Sequence, residues 1–201
     1  MLIASQWLEP VLRALVLIAD PALQNVQSRN AELRTECGAN KIVSMTTIYA
    51  FKSLAASMVG LPITHVSRSY ESALFIDIGE LHPVAKCDGS HGNPEGQVSL
   101  GVEWSWRIEN QTAIRCGSLS EEELWEQAFD TLRDGRIAGC KLSGTLPEEI
   151  ITTDGGIRFL SFSTTGGQPQ WHFADRRDSP PRRLSVREGR LHLGDGSEPF
   201  T

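Results

Sequence analysis

Between Gln97 and Glu109 the chain alternates without interruption. Val98, Leu100, Val102, Trp104, Trp106 and Ile108 are apolar, and Ser99, Gly101, Glu103, Ser105, Arg107 and Glu109 between them are polar or glycine. Successive side chains of a strand point to opposite faces, so this run predicts one extended segment with an apolar face and a polar face. It carries two of the five tryptophans. It is expected to be the central strand of the core, with both indoles of Trp104-Ser105-Trp106 turned into a dry interior.

The segments around it predict an α+β fold: a mainly antiparallel sheet with helices packed on it and a helical N-terminal arm. Leu8, Val11, Leu12, Leu15 and Ile18 follow helical spacing, and a second helix from Pro21 to about Cys37 has only a thin stripe of Leu23, Val26 and Leu33. Residues 1–44 therefore read as a helical extension to an α+β domain spanning 45–193, with 194–201 a frayed tail. A helix from about Thr46 to Met58 turns Ile48, Phe51, Leu54, Ala55 and Met58 to one side, and Gly60 and Pro62 stop it. Ser120 with Glu123 reads as a capping box opening a helix over 121–133, whose inward face holds Leu124, Ala128, Phe129 and Leu132.

The remaining elements read as strands. Ile63–Ser67 is short, and Ala73–Ile78 alternates. Leu81–Gly96, rich in glycine and proline, reads as a loop. From Ile137 the chain is β, with a hairpin around Asp154-Gly155-Gly156, a short strand through Trp171 and Phe173, and a second hairpin around Glu188-Gly189. A two-residue loop there pairs Val186 with Leu191, Leu184 with Leu193 and Arg187 with Arg190. The order helix, isoleucine strand, hairpin, tryptophan strand occurs twice with unequal spacing, which raises two pseudo-repeated halves as an expectation beside ordinary α+β alternation.

Composition limits the function classes. The longest apolar run, Ala14 to Ala19, is too short to span a bilayer. The four cysteines are scattered without a CxxC and read as free thiols. With no secretory signal recognised, the expected location is cytoplasmic. The formal charge of −6 argues against nucleic-acid binding by the whole surface.

Four sets of residues hold chemistry worth weighing. His82, Cys87, Asp88 and His91 are metal-ligand types in one glycine-rich loop, but their spacing fits no regular zinc pattern, and neither a metal nor a cofactor is expected. Glu103 and Arg107 lie on the polar face of the central run, with Asp77 on a neighbouring strand. A carboxylate pair flanking a cleft would do acid–base work, and a surface ion pair is the plainer reading. Arg176, Arg177, Arg182, Arg183, Arg187 and Arg190 outnumber Asp175, Asp178 and Glu188 between 175 and 193, a basic segment able to read phosphates or an acidic surface. Trp104, Trp106, Trp125 and Trp171 either frame a pocket or fill the core. No GxSxG, HExxH or phosphate loop is present.

Trp104-Ser105-Trp106-Arg107-Ile108 and Pro169-Gln170-Trp171-His172-Phe173 each follow an apolar strand with a glycine turn, Phe75–Gly79 and Gly156–Phe162. This layout, over Met45 to Leu193, resembles small bacterial domains of the immunity-protein type. The resemblance implies a soluble, acidic, non-enzymatic protein that masks a partner protein, and it transfers no catalytic residue. The expected function is therefore a protein-binding module, with Glu103, Arg107, Arg182, Arg183, Arg187 and Arg190 as partner-binding residues and a homodimer open. The alternatives are a small-molecule-binding protein or hydrolase with its pocket near the 81–96 loop, and nucleic-acid binding through the arginine-rich hairpin.

Overall fold

The computed structural model describes residues 45–85, 89–103, 105–164 and 170–196. The expected helices of residues 1–44, Trp104, the Gly166-Gly167 turn and the far C-terminus lie outside the described residues. The described residues form an α+β fold dominated by antiparallel sheet. Helix α1 (Met45–Met58) is followed by β1 (Ile63–Arg68), β2 (Leu74–His82), β3 (Glu95–Val102), β4 (Ser105–Glu109) and β5 (Ile114–Gly117). A 3-10 turn (Glu122–Leu124) leads into α2 (Trp125–Arg133). Then come β6 (Ile137–Ser143), β7 (Glu148–Thr153), β8 (Arg158–Phe162), β9 (Trp171–Asp175), β10 (Arg182–Arg187) and β11 (Arg190–Asp195). One sheet has the order β1-β2-β3-β9-β10-β11 and the other β5-β4-β8-β7-β6.

The alternating run is not one strand but two, in different sheets. β3 pairs with β2 and β9, whereas β4 pairs with β5 and β8. The chain changes sheet between Val102 and Ser105. A break of two residues preserves the parity of the alternation, so Val98, Leu100, Val102, Trp106 and Ile108 are all buried even though the partner strands change. Trp106 is turned into the interior as expected.

The registers put two halves of the chain in correspondence. β1-β2-β3 form a meander in the six-stranded sheet, and β4-β5 cross to the other. β6-β7-β8 form a meander in the five-stranded sheet, and β9-β10 cross back. Each meander follows a helix, and each helix packs against the first strand of the other half, α1 on β6 and α2 on β1. The first hairpin of each half shifts register at the same place, between Ile63 and His65 and between Ile137 and Gly139. Trp171 lies across from Val102 and Trp106 across from Ser161. The two indoles make equivalent bonds. Trp106 Nε1 donates to the Ser72 carbonyl (2.7 Å) in the β1–β2 turn, and Trp171 Nε1 donates to the Pro147 carbonyl (2.8 Å) in the β6–β7 turn. The unequal spacing seen in the sequence comes from the longer β2–β3 connection.

Where the halves meet, Gly60 N–H donates to the Ile137 carbonyl (2.8 Å) and Ile137 N–H to the Leu61 carbonyl (2.9 Å). Gly60 has φ +85°, which a glycine adopts without strain and which turns the chain out of α1. The inward faces of both sheets and both helices share one contiguous cluster that includes Phe51, Trp106, Phe129 and Trp171.

Three further expectations need correction. β2 runs on to His82 and β3 begins at Glu95, pairing with one another, so the loop is shorter than 81–96. Ser120 does not cap a helix. Its hydroxyl accepts from Gly117 N–H (3.0 Å), and its N–H donates to the Gly117 carbonyl (2.9 Å), so it is committed to the turn after β5. The helix consequently starts late, at Trp125, and Leu124 in the preceding 3-10 turn is 47% exposed rather than inward-facing. Gly194 is not frayed: it pairs with Arg183, and the hairpin has the expected register throughout.

Candidate functional site

The outer face of the six-stranded sheet carries a buried polar row. Asp77 on β2 sits between His65 on β1 and Ser99 on β3. Its carboxylate accepts from Gly96 N–H (2.9 Å) and from the Ser99 hydroxyl, and its other oxygen lies 3.3 Å from His65 Nδ1. Arg176 donates to Ser99 Oγ (2.8 Å) and to the Gly96 carbonyl (3.3 Å), and pairs with Glu95 (2.6 Å). Serine, aspartate and histidine meet here in the wrong order for nucleophilic catalysis. A triad needs the imidazole between the acid and the hydroxyl, where it takes the hydroxyl proton. Here the carboxylate is in the middle, so His65 has no route to Ser99 Oγ. The row orders the sheet and fixes Arg176.

His172 on β9 lies in the next row, beside Gly101 on β3. A Cβ at Gly101 would overlap its ring, so only glycine gives the imidazole this room. Phe75 meets the ring edge-on at 6.1 Å. Burial, and then the guanidinium groups of Arg183, Arg176 and Arg187, push the His172 pKa down to about 3. The unfolded chain takes up a proton at this histidine below pH 6.5 and the folded chain does not. Its contribution to stability is thus complete above pH 6.5 and falls by about 1.4 kcal/mol per pH unit towards pH 3. His172→Gln is expected to flatten that acid limb, read as urea midpoints between those two pH values. An unchanged limb would assign acid sensitivity elsewhere.

The structure does not bring the sequence-predicted site residues together. Glu103 and Arg107 flank the sheet change and do not form the expected ion pair. Arg107 pairs instead with Glu109 (2.8 Å), two residues on along the same face, and lies over the Phe162 ring. Glu109 also receives Arg158. Glu103 is half-buried, and desolvation pushes its carboxyl up. The arginines of the C-terminal hairpin divide between two faces, as neighbours in a strand must. Arg182 faces Asp178 (2.7 Å) and Asp175 (3.5 Å). Arg183 and Arg187 lie on the His172 face, and Arg187 is opposite Arg190. Arg177 pairs with Asp175 (2.8 Å) and reaches Ser57 Oγ (2.8 Å) at the end of α1. Burial works against the Asp175 charge, but the Arg177 hydrogen bonds outweigh it and hold the carboxyl below its usual value. His82 at the end of β2 and His91 in the β2–β3 connection are exposed, and Cys87 lies outside the described residues. Among the described residues no three His, Cys, Asp or Glu side chains cluster so as to hold a metal ion.

Two features escaped the sequence reading. The first is a set of exposed apolar side chains on β5, the following turn and the 3-10 turn before α2. Leu119 is 99% exposed, Ile114 64% and Leu124 47%. Ile114 and Leu124 line one shallow cleft of about 170 Å³ between β5 and α2. Among the described residues β5 is an outer strand of its sheet and pairs with β4. Arg115, Gln127 and Thr131 also line the cleft, and Glu121, Glu122, Glu123 and Glu126, all exposed, neighbour Leu124 in the chain. Glu122 is engaged by Arg68 and Glu126 by Arg133 (3.1 Å). The late helix start leaves Leu124 outside, and the sequence offered the acidic run as a cap and as a surface on which the arginines could dock.

The second feature is Glu149 on β7, fully buried on the inward face with neither carboxyl oxygen hydrogen-bonded. Burial pushes its carboxyl well up, and its proximity helps to push up the thiol of Cys140, itself already raised by burial. By register it occupies the place that Leu74 holds in the first half, with Ser161 where that half has Val102. Comparison with family models, with curated proteins and with solved structures gives no match, so the functional reading rests on the chain's own geometry.

Proposed function

We propose that this chain is a non-enzymatic protein-binding module that masks a partner protein in the manner of immunity proteins. The supporting observation is the exposure of Ile114, Leu119 and Leu124, with a run of exposed glutamates next to Leu124 in the chain. An apolar centre with a charged border is the anatomy of a recognition surface, in which desolvated apolar side chains give affinity and the rim gives partner choice and association rate. A side chain as exposed as Leu119 buries no area against the described residues. Among the described residues β5 is also an outer strand of its sheet, the kind of edge that a partner can extend. The glutamates and the net charge of −6 select a partner with a basic surface.

The test is quantitative binding of the full chain to the purified products of the genes flanking its own. One of them is expected to bind, with an association rate that falls as salt rises. Leu119→Asp and Glu123→Lys are each expected to weaken that complex tenfold or more, about 1.4 kcal/mol or above. Absence of any such complex, or a complex indifferent to both substitutions, would overturn the reading.

A further inference from the structure

The two halves of the chain correspond strand for strand except at one place. The sheets run β1-β2-β3-β9-β10-β11 and, read from the matching end, β6-β7-β8-β4-β5. β10 therefore has β11 outside it, whereas among the described residues no strand lies outside β5. The rings match the helices. Trp125 packs on Trp106 as Phe51 packs on Trp171, and each stands twelve residues before the isoleucine that opens the next strand, Ile137 and Ile63. Leu124 thus corresponds to Ala50, Ala128 to Leu54 and Thr131 to Ser57. On the strands, Cys116 corresponds to Leu184, because they lie opposite Ile108 and Phe173, each two residues beyond a matched tryptophan.

The groove between helix and sheet edge is filled in one half and open in the other. Beside α1, Leu193 of β11, paired with Leu184, lies with Ala50 and Leu54 around a residual space of only about 20 Å³. Arg177, just after β9, donates to Ser57 Oγ (2.8 Å). Beside α2, the corresponding Leu124, Ala128 and Thr131 line, with Ile114, the cleft of about 170 Å³. β5 is followed by a turn into α2 and not by a strand, and Ser120 of that turn holds both backbone groups of Gly117. No counterpart of Leu193 follows it. The cleft is smaller than the roughly 300–1,000 Å³ of small-molecule sites, so its size suits one side chain. Glu121, Glu122, Glu123 and Glu126 adjoin Leu124 in the chain. Two copies meeting through this surface would oppose like charges, whereas a basic segment meets opposite ones.

We propose that the α2–β5 cleft receives one aliphatic side chain of the partner protein, carried on an extended basic segment, in the place where the other half lodges its own Leu193. This rests on the protein-binding reading and names the anchor of that complex.

The probe is a capped peptide of residues 189–194, Gly-Arg-Leu-His-Leu-Gly, titrated into the full chain and followed by amide shifts in nuclear magnetic resonance. Saturable binding is expected, with the largest shifts at Ile114, Leu124, Ala128 and Thr131. The Leu193→Asp peptide is expected to bind at least fivefold more weakly. Gln127→Trp, at an exposed position that lines the cleft, is expected to weaken the peptide at least fivefold and the partner complex at least tenfold, with the urea midpoint unchanged. Absence of saturable peptide binding, or shifts away from those residues, would overturn the site. A partner complex weakened by Leu119→Asp and indifferent to Gln127→Trp would overturn the anchor and leave the masking reading standing. Peptide binding that Gln127→Trp abolishes, with no partner complex found, would keep the cleft as a side-chain site and overturn the masking reading. A dimer in sedimentation that Gln127→Trp dissociates would give the cleft to a second copy and overturn its assignment to a partner protein.

Discussion

Trp106→Ala is expected to destabilise the protein by about 4 kcal/mol, the size seen when a large aromatic is removed from a packed core. Trp106 is wholly buried and has three ring neighbours, two on α2 and one on β8. Trp125 stands edge-on at 5.2 Å, Phe129 at 5.9 Å, and Phe159 stacks at 6.3 Å. Its backbone belongs to the five-stranded sheet, whereas its indole N–H donates to the Ser72 carbonyl in a turn of the six-stranded sheet. The residue therefore ties the two sheets together, just after the chain has changed from one to the other. Trp106→Phe separates the two roles: it keeps a ring in the core and loses the bond to Ser72. A cost of about 1–2 kcal/mol is expected, because part of the ring volume is lost and the Ser72 carbonyl, near the surface, regains water. Urea unfolding of the three proteins checks the order. A loss below 1 kcal/mol for the alanine variant would mean that the aromatic cluster can close over the gap.

Much of the fold was legible because it rests on local rules. α1 was readable from its apolar spacing and Gly60, and the β10–β11 hairpin was readable to the residue pair because a two-residue loop leaves one register. The change of sheet at Glu103 was not legible. Period-two alternation states which face a side chain takes and is silent about the neighbouring strand, and a two-residue break leaves the pattern intact. For the same reason Glu103 and Arg107 looked like a pair on one strand.

The arginines at 176–190 looked like one patch because sequence distance ignores alternation. Arg182 and Arg183 are adjacent in the chain and belong to opposite faces. The exposure of Leu124 depended on where a helix starts, and Ser120 had the right spacing for a cap but was already committed to a turn. The likeness of the α2–β5 cleft to the place that Leu193 fills had a trace in the sequence, in Phe51 and Trp125 standing equally far before Ile63 and Ile137. Reading that trace required the strand order that only the paired strands reveal.

Glu149 is the residue whose character the sequence concealed most fully, since Glu148-Glu149 reads as a solvated strand start. Its replacement is expected to change the pH dependence of stability. Burial raises the folded pKa, and no hydrogen bond to either oxygen offsets that cost. Above about pH 4.5 the unfolded chain ionises this carboxyl while the folded chain keeps it protonated. Folding then takes up a proton, so stability is full below that pH and falls as pH rises, by about 1.4 kcal/mol per unit, until the folded pKa is reached. Glu149→Gln removes the slope. Its gain over the natural protein is expected to be near zero at about pH 4 and to grow by about 1.4 kcal/mol per pH unit above about pH 4.5 for as long as the folded carboxyl stays protonated. Glu149→Leu, which restores the residue type of its counterpart Leu74, also removes the buried polar group and should be the more stable of the two at every pH. His172 acts in the opposite direction, losing stability as pH falls from 6.5 towards 3. The natural protein is therefore expected to be most stable in a window bounded on the alkaline side by Glu149 and on the acid side by His172. The glutamine variant should retain the acid limb and lose the alkaline one. Urea midpoints across that range decide the matter: parallel profiles for Glu149→Gln and the natural protein would mean that the carboxylate is ionised in the fold, with a compensating group beside it.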